Sequence, residues 1–167
     1  MGTWMDRGFV WVAVPDWRSS VDASPGEGAY IGKWLLFAGE SQIGPAWEII
    51  TRAMEYGRLG GKSKRAEKPT RGAYVICVYT LDYRNLGDVG RVLTVLRELG
   101  FNARIFYKED AATHALRYGG GSASLYEASA GSTQIRRRRE PVEPRASSPA
   151  EVTHTRMTRW RELGAAG

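Results

Sequence analysis

The sequence has one cysteine, two histidines and no apolar run approaching the roughly 20 residues that a membrane span needs. A single thiol, Cys77, closes neither an internal disulfide nor a multi-cysteine zinc site. His114 and His154 are too few for a histidine-rich metal centre, so no metal and no cofactor is expected. Met1-Gly2-Thr3-Trp4-Met5-Asp6 has no basic stretch leading into an apolar one; no secretory leader is read, and the expected compartment is the cytoplasm. What is present is globular in composition: 43% hydrophobic, 25% charged and 11% aromatic residues over 167 positions.

The net charge of +6 is unevenly spread. Gly57–Arg71 carries six cations against one Glu, and residues 122–167 carry eight Arg against five Glu. Clustered positive charge suits an anionic partner, because local field captures phosphates more than total charge does. A mobile loop kept soluble by its lysines has the same composition.

Along the chain, residues 8–14 read as a strand, 16–30 as a long loop rich in Ser, Gly, Asp and Pro, and Lys33–Phe37 as a second strand. A helix over Pro45–Tyr56 follows, with proline in the first helical position and Gly57 as its stop. The basic stretch 57–71 reads as a loop. Ala73–Leu81 is apolar on both alternating sets, the mark of a central strand covered on both sides. Leu86–Leu99 reads as a helix capped by Asn85, burying Val89, Val92, Leu93 and Leu96. In the last strand, Asn102–Lys108, one set places Phe106 between Arg104 and Lys108. These elements give one α+β domain over residues 8–121. From Gly119 onward the composition turns to Gly, Ser, Ala, Pro, Glu and Arg, so 122–167 reads as a mostly disordered Arg-rich tail. Within it, 149–163 reads as a short helix too marginal to form without a partner surface.

Gly60-Gly61-Lys62-Ser63 superficially matches a phosphate-binding loop. The pattern needs glycine at position 56, which is Tyr56, and it should follow a strand rather than a helix. Of six tryptophans, Trp47 and Trp11 fall in apolar patterns that suit a core, while Trp17 and Trp34 remain as rings that could stack on a base. Cys77, inside an apolar strand, reads as an inert buried thiol.

Several segments together resemble one family. They are Ile31–Phe37, Ala46-Trp47-Glu48, Gly57–Gly60, Tyr74–Asp82, Asp88-Val89, Leu96–Phe101 and Tyr107–Asp110, with Thr113 and Tyr118. In order and spacing they are similar to the basophilic-leukemia-expressed protein family, over about residues 28–118. The resemblance implies the fold of the eukaryotic cap-binding translation initiation factor, a curved antiparallel sheet with helices on its convex face. Ferredoxin-like packing is the rival, since the chain also reads as two strand–helix–strand units. The family has no settled function, and some relatives carry a phosphothreonine-lyase label. Lys64 matches its lysine after the first helix. Lys108-Glu109-Asp110 stands where Lys-Pro-Asp is usual, and Gly119–Gly121 replace an Asn and a Trp after the final Tyr.

Three functions are open on this basis. The first is non-catalytic binding of RNA or a phosphorylated nucleotide, with Lys62, Lys64, Arg65, Lys68, Arg71, Arg104 and Lys108 on phosphates and Trp17 or Trp34 stacking. The second is a phosphothreonine-lyase-like enzyme, with Lys64 or Lys108 as base and His114 as acid. The third is docking on a partner such as the ribosome through Arg136, Arg137, Arg138 and Arg139 of the tail. No membrane partner is expected.

Overall fold

The computed structural model describes residues 1–15, 30–115 and 124–142. The chain begins with a hairpin of β1 (Gly2–Asp6) and β2 (Phe9–Ala13). The two residues joining them, Arg7 and Gly8, both have positive φ (50° and 78°), as a two-residue turn needs to match the strand twist. β3 (Gly32–Ala38) leads into α1 (Glu40–Glu55), then come β4 (Lys62–Ala66) and β5 (Tyr74–Thr80). After α2 (Leu86–Glu98) follow β6 (Ile105–Glu109), the short α3 (Asp110–Ala115), β7 (Tyr126–Ala128) and β8 (Arg136–Arg137). The strands form one curved, wholly antiparallel sheet in the order β1-β2-β4-β5-β3-β6-β7-β8. No helix among the described residues is long and apolar enough to cross a membrane.

Because side chains alternate along a strand, register decides which residues share a face. Trp34 pairs with Val78 and Tyr107, and Leu36 with Ile76; this set meets Ile50 and Met54 of α1 and Val89, Leu93 and Leu96 of α2 in the main core. Asn85 caps α2 through Oδ1, which accepts the Asp88 amide at 3.1 Å. α1 starts five residues before Pro45. Gly39 caps it, its N–H donating to Gln42 Oε1 at 3.3 Å, and proline sits on an exposed side inside the helix instead of opening it.

Three expectations are corrected here. The basic stretch is not wholly loop: Lys62–Ala66 is a strand, paired with β2 on one side and β5 on the other. Trp34 is no stacking ring. It is fully buried, its indole N–H donates to Val89 O at 3.1 Å, and its ring meets Tyr107 edge-on at 5.2 Å, so neither face is open to a ligand. Nor does the folded unit end at 121. Leu125, Tyr126 and Ala128 are buried in the main core, β7 covers the edge of β6, and Arg97 of α2 holds the following turn through Ser129 O and Ser132 O at 2.8 and 2.9 Å. The short helix read over 149–163 lies outside the described residues.

Candidate functional site

The face of the sheet turned away from α1 and α2 gathers four of the five lysines, Lys33, Lys62, Lys64 and Lys108, with a row of aromatic rings among them. Register places Trp4 opposite Trp11 and Trp11 opposite Lys64, with Cys77 next; Lys33 lies opposite both Tyr79 and Lys108. Trp4 and Trp11 stack with centroids 5.8 Å apart and planes 5° from parallel, and Trp11 stacks on Tyr79 at 5.9 Å. The lysines lie over these rings. Lys64 Nζ is 4.0 Å from the Phe9 centroid and 4.6 Å from that of Trp11. Lys62 Nζ is 4.3 Å from Tyr79 and 5.1 Å from Trp11, and Lys33 Nζ is 5.2 Å from Tyr79. Cations held over ring faces gain from the ring quadrupole, more so where water is excluded.

Lys33 is buried and paired with Asp110 at the start of α3. Asp110 also acts on Lys62 and Lys64, joined by Asp6 at Lys64. Burial lowers the pKa of Lys62 to about 8; Lys33 and Lys64 push the same way, against Asp110. Burial also lowers Lys64, and on β6 it lowers Lys108, helped by Arg139 and Lys33. The same burial pushes the Tyr79 phenol and the Cys77 thiol upward, so neither is a nucleophile at neutral pH. Among the described residues the Trp11 indole N–H is buried with no acceptor.

Of the sequence-predicted site residues, Lys62, Lys64, Lys108 and Arg104 share this face. Arg65 does not: it is level with Ile76 on the helix side, where Nη1 donates to Ala66 O at 3.4 Å. Lys68 and Arg71 are exposed in the turn beyond β4 and join no cluster. Trp17 lies outside the described residues, as does the side chain of His114. The lyase reading takes Lys64 or Lys108 as base with His114 as acid, and the His114 side chain that would complete either pair lies outside the described residues. Gly60 serves packing, since a Cβ there would lie 2.0 Å from Tyr79 O, and the glycines open a strand rather than a helix.

The arginine run is built into the fold. Arg136 and Arg138 pair with Glu127, and Arg137 with Glu140. Arg139 grips the fully buried Glu109 through two bonds of 2.6 and 2.8 Å. Burial would raise the Glu109 pKa, but these bonds and the Val142 amide hold it below the usual carboxylate range. Sequence reasoning missed Lys33, Asp110, Tyr79 and Trp11 as site residues. The available signal was the period-two spacing of Lys62 and Lys64, which fits a strand with one cationic face and was outweighed by the surrounding Gly, Lys and Pro.

Among solved structures, the chain is similar to schistosome eIF4E complexed with m7GpppA and 4E-BP, with 13% identity, a TM-score of 0.53, and coverage of 72% of this chain and 69% of that one. The complex of schistosome eIF4E with m7GpppG and 4E-BP matches with the same values. At that identity the likeness is one of fold. The family model described as basophilic leukemia-expressed protein Bles03 matches residues 25–115, more than half of the sequence. With the sheet, helices and matched segments in agreement, the chain belongs to the Bles03 family, built on the fold of the cap-binding initiation factors.

Proposed function

We propose that this protein binds a phosphorylated nucleotide or RNA, without transforming it, on the sheet face that carries Lys33, Lys62 and Lys64 over Trp11 and Tyr79. One observation carries the reading: the Lys33, Lys62 and Lys64 amines converge on one sheet face, Lys62 and Lys64 over the Trp11 ring and Lys33 and Lys62 over that of Tyr79, with Asp110 paired to Lys33 beside them. Burying the Lys62 and Lys64 ammonium groups beside other amines is costly, and the lowered pKa values of these two express that cost, burial first and like charge second. A phosphate relieves it. Trp4, partly exposed on the edge strand β1 and stacked on Trp11 on one side, is the ring placed to take a base. Solved relatives in fold are complexed with m7GpppA and m7GpppG, which makes such nucleotides the first probes to try.

The test is titration of the full chain with m7GpppG, ATP and a mixed-sequence single-stranded RNA at low salt, followed by calorimetry and tryptophan fluorescence. Saturable binding is expected, weakened at least tenfold in Lys64→Ala, with Lys68→Ala as a control of unchanged affinity. Absence of binding by all three probes at low salt overturns the reading.

A further inference from the structure

A second cationic cluster occupies the same sheet face at its other end. Phe106, half-buried on β6, has the Arg104 guanidinium 5.1 Å from its ring centroid and that of Arg138 at 5.5 Å. Arg104, Arg136 and Arg138 all gather on one carboxylate, that of Glu127 in β7, whose side chain is 3% exposed. Arg104 donates to Glu127 Oε2 at 2.5 Å, and the Arg104 and Arg136 bonds hold the acid ionised. One buried negative charge thus organises three positive ones, leaving a local surplus of two. The arginines keep outward surface, with side-chain exposures of 53% for Arg104, 73% for Arg136 and 34% for Arg138. A guanidinium is planar, always charged, and able to stack on a base while bonding a phosphate.

Register ties this cluster to the lysine site. Leu35 on β3 faces both Cys77 of β5 and Phe106 of β6, so the face runs without interruption from Lys64 on β4 to Phe106. The two are three strands apart, about 14 Å along the sheet. Lys108, with one strand between it and Tyr79, supplies a cation on the way. At about 3.4 Å per stacked nucleotide, a strand of about five nucleotides spans that distance.

We infer that Arg104, Phe106 and Arg138 form a second subsite that stacks and neutralises a further nucleotide, and that the ligand is a single-stranded RNA lying across the sheet from β4 toward β8. The inference rests on the nucleotide-binding reading of the lysine site and adds the class and length of the ligand. Stacking and charge, the two means of the subsite, are largely indifferent to base identity, so affinity depends more on strand length than on sequence.

The experiment compares ATP with a fluorescein-labelled ten-nucleotide poly-U strand on the full chain, in wild type, Phe106→Leu and Arg138→Gln. Phe106→Leu keeps apolar volume, and Arg138→Gln leaves Glu127 two of its arginines. Thermal melts check that both variants fold. Expected results are poly-U binding at least tenfold tighter than ATP in wild type, a loss of about tenfold for poly-U in Phe106→Leu, and ATP affinity within twofold throughout. In Arg138→Gln the salt slope for poly-U should flatten by about 0.7, one phosphate contact on a single strand. Wild type that binds ATP but holds poly-U no more tightly overturns this inference alone. Equal losses of ATP and poly-U, or none, reduce the cluster to a structural brace and also overturn it. Wild type that binds neither probe removes the lysine site and the subsite together.

Discussion

In the free protein Lys62 lies among Asp110, Lys33, Lys64 and Cys77 with its pKa lowered to about 8. A phosphate placed against the amine favours the charged form and returns the pKa toward the ordinary 10.5. Binding then carries a proton with it. At pH 8 half of the unliganded molecules have lost the Lys62 proton, so complex formation takes up about half a proton, and at pH 9 most of one. The same linkage makes affinity fall about tenfold between pH 7 and pH 9. Lys64, lowered in the same direction, adds to both effects. Calorimetry in two buffers of different ionisation enthalpy measures the uptake directly. Lys62→Arg is the decisive variant, since it keeps a cation over Tyr79 and Trp11 that does not deprotonate in this range. Uptake should drop to the Lys64 share while binding persists. Wild-type uptake near zero at pH 8 to 9, or equal uptake in Lys62→Arg, refutes the reasoning.

Lys62→Met removes a buried charge whose pKa shift corresponds to about 3 kcal/mol. It should raise stability in urea by about 1–3 kcal/mol at pH 7 and weaken nucleotide binding. In wild type that stability deficit should shrink as pH rises from 8 toward 10.5, where the unfolded chain holds the proton more tightly. Arg139→Ala strands the buried Glu109 carboxylate and should cost about 3–5 kcal/mol in urea denaturation. Because Glu109 is held below its ordinary range, that loss should be full at neutral pH and fade as pH falls through the carboxylate range. Removal of residues 122–167 takes away Leu125, Tyr126 and Arg139, and should lower the thermal midpoint far more than removal of 143–167 alone; equal midpoints would contradict the placement of β7. Trp34→Phe loses the bond to Val89 O and should destabilise by about 1–3 kcal/mol, with nucleotide affinity within twofold of wild type. A large affinity loss there would put the ring back in the site.

Elements whose burial is written into local pattern were legible from the residues. β5, apolar on both alternating sets, is central in the sheet with residues of both sets buried; α2 has the expected Asn85 cap and four-residue buried stripe. Phe101 packs back on the core after the Gly100 stop. The strands that the residues alone did not reveal are short or joined by turns without the usual signals. β1 depends on a turn with Arg7 in a conformation that composition does not advertise. β7 has only three residues, and it is buried because β6 needs a neighbour. β4 carries lysines because only one of its two sets faces the core.

The candidate site divides in the same way. That cations cluster at 62–65 and 136–139 is a property of the sequence, and so is the wealth of aromatic side chains. Which of them meet was decided by antiparallel register. One residue of slip would exchange Lys64 for Arg65 or Trp11 for Val12, because neighbours on a strand point to opposite faces. Trp34 and Lys33 are adjacent in the chain and equally buried, yet one is core and the other faces Tyr79 among charges. Composition determined that positive charge and rings exist in quantity; pairing between strands distant in the chain decided that Lys33, Lys62, Lys64 and Trp11 share one surface while Arg65 and Trp34 turn away from it.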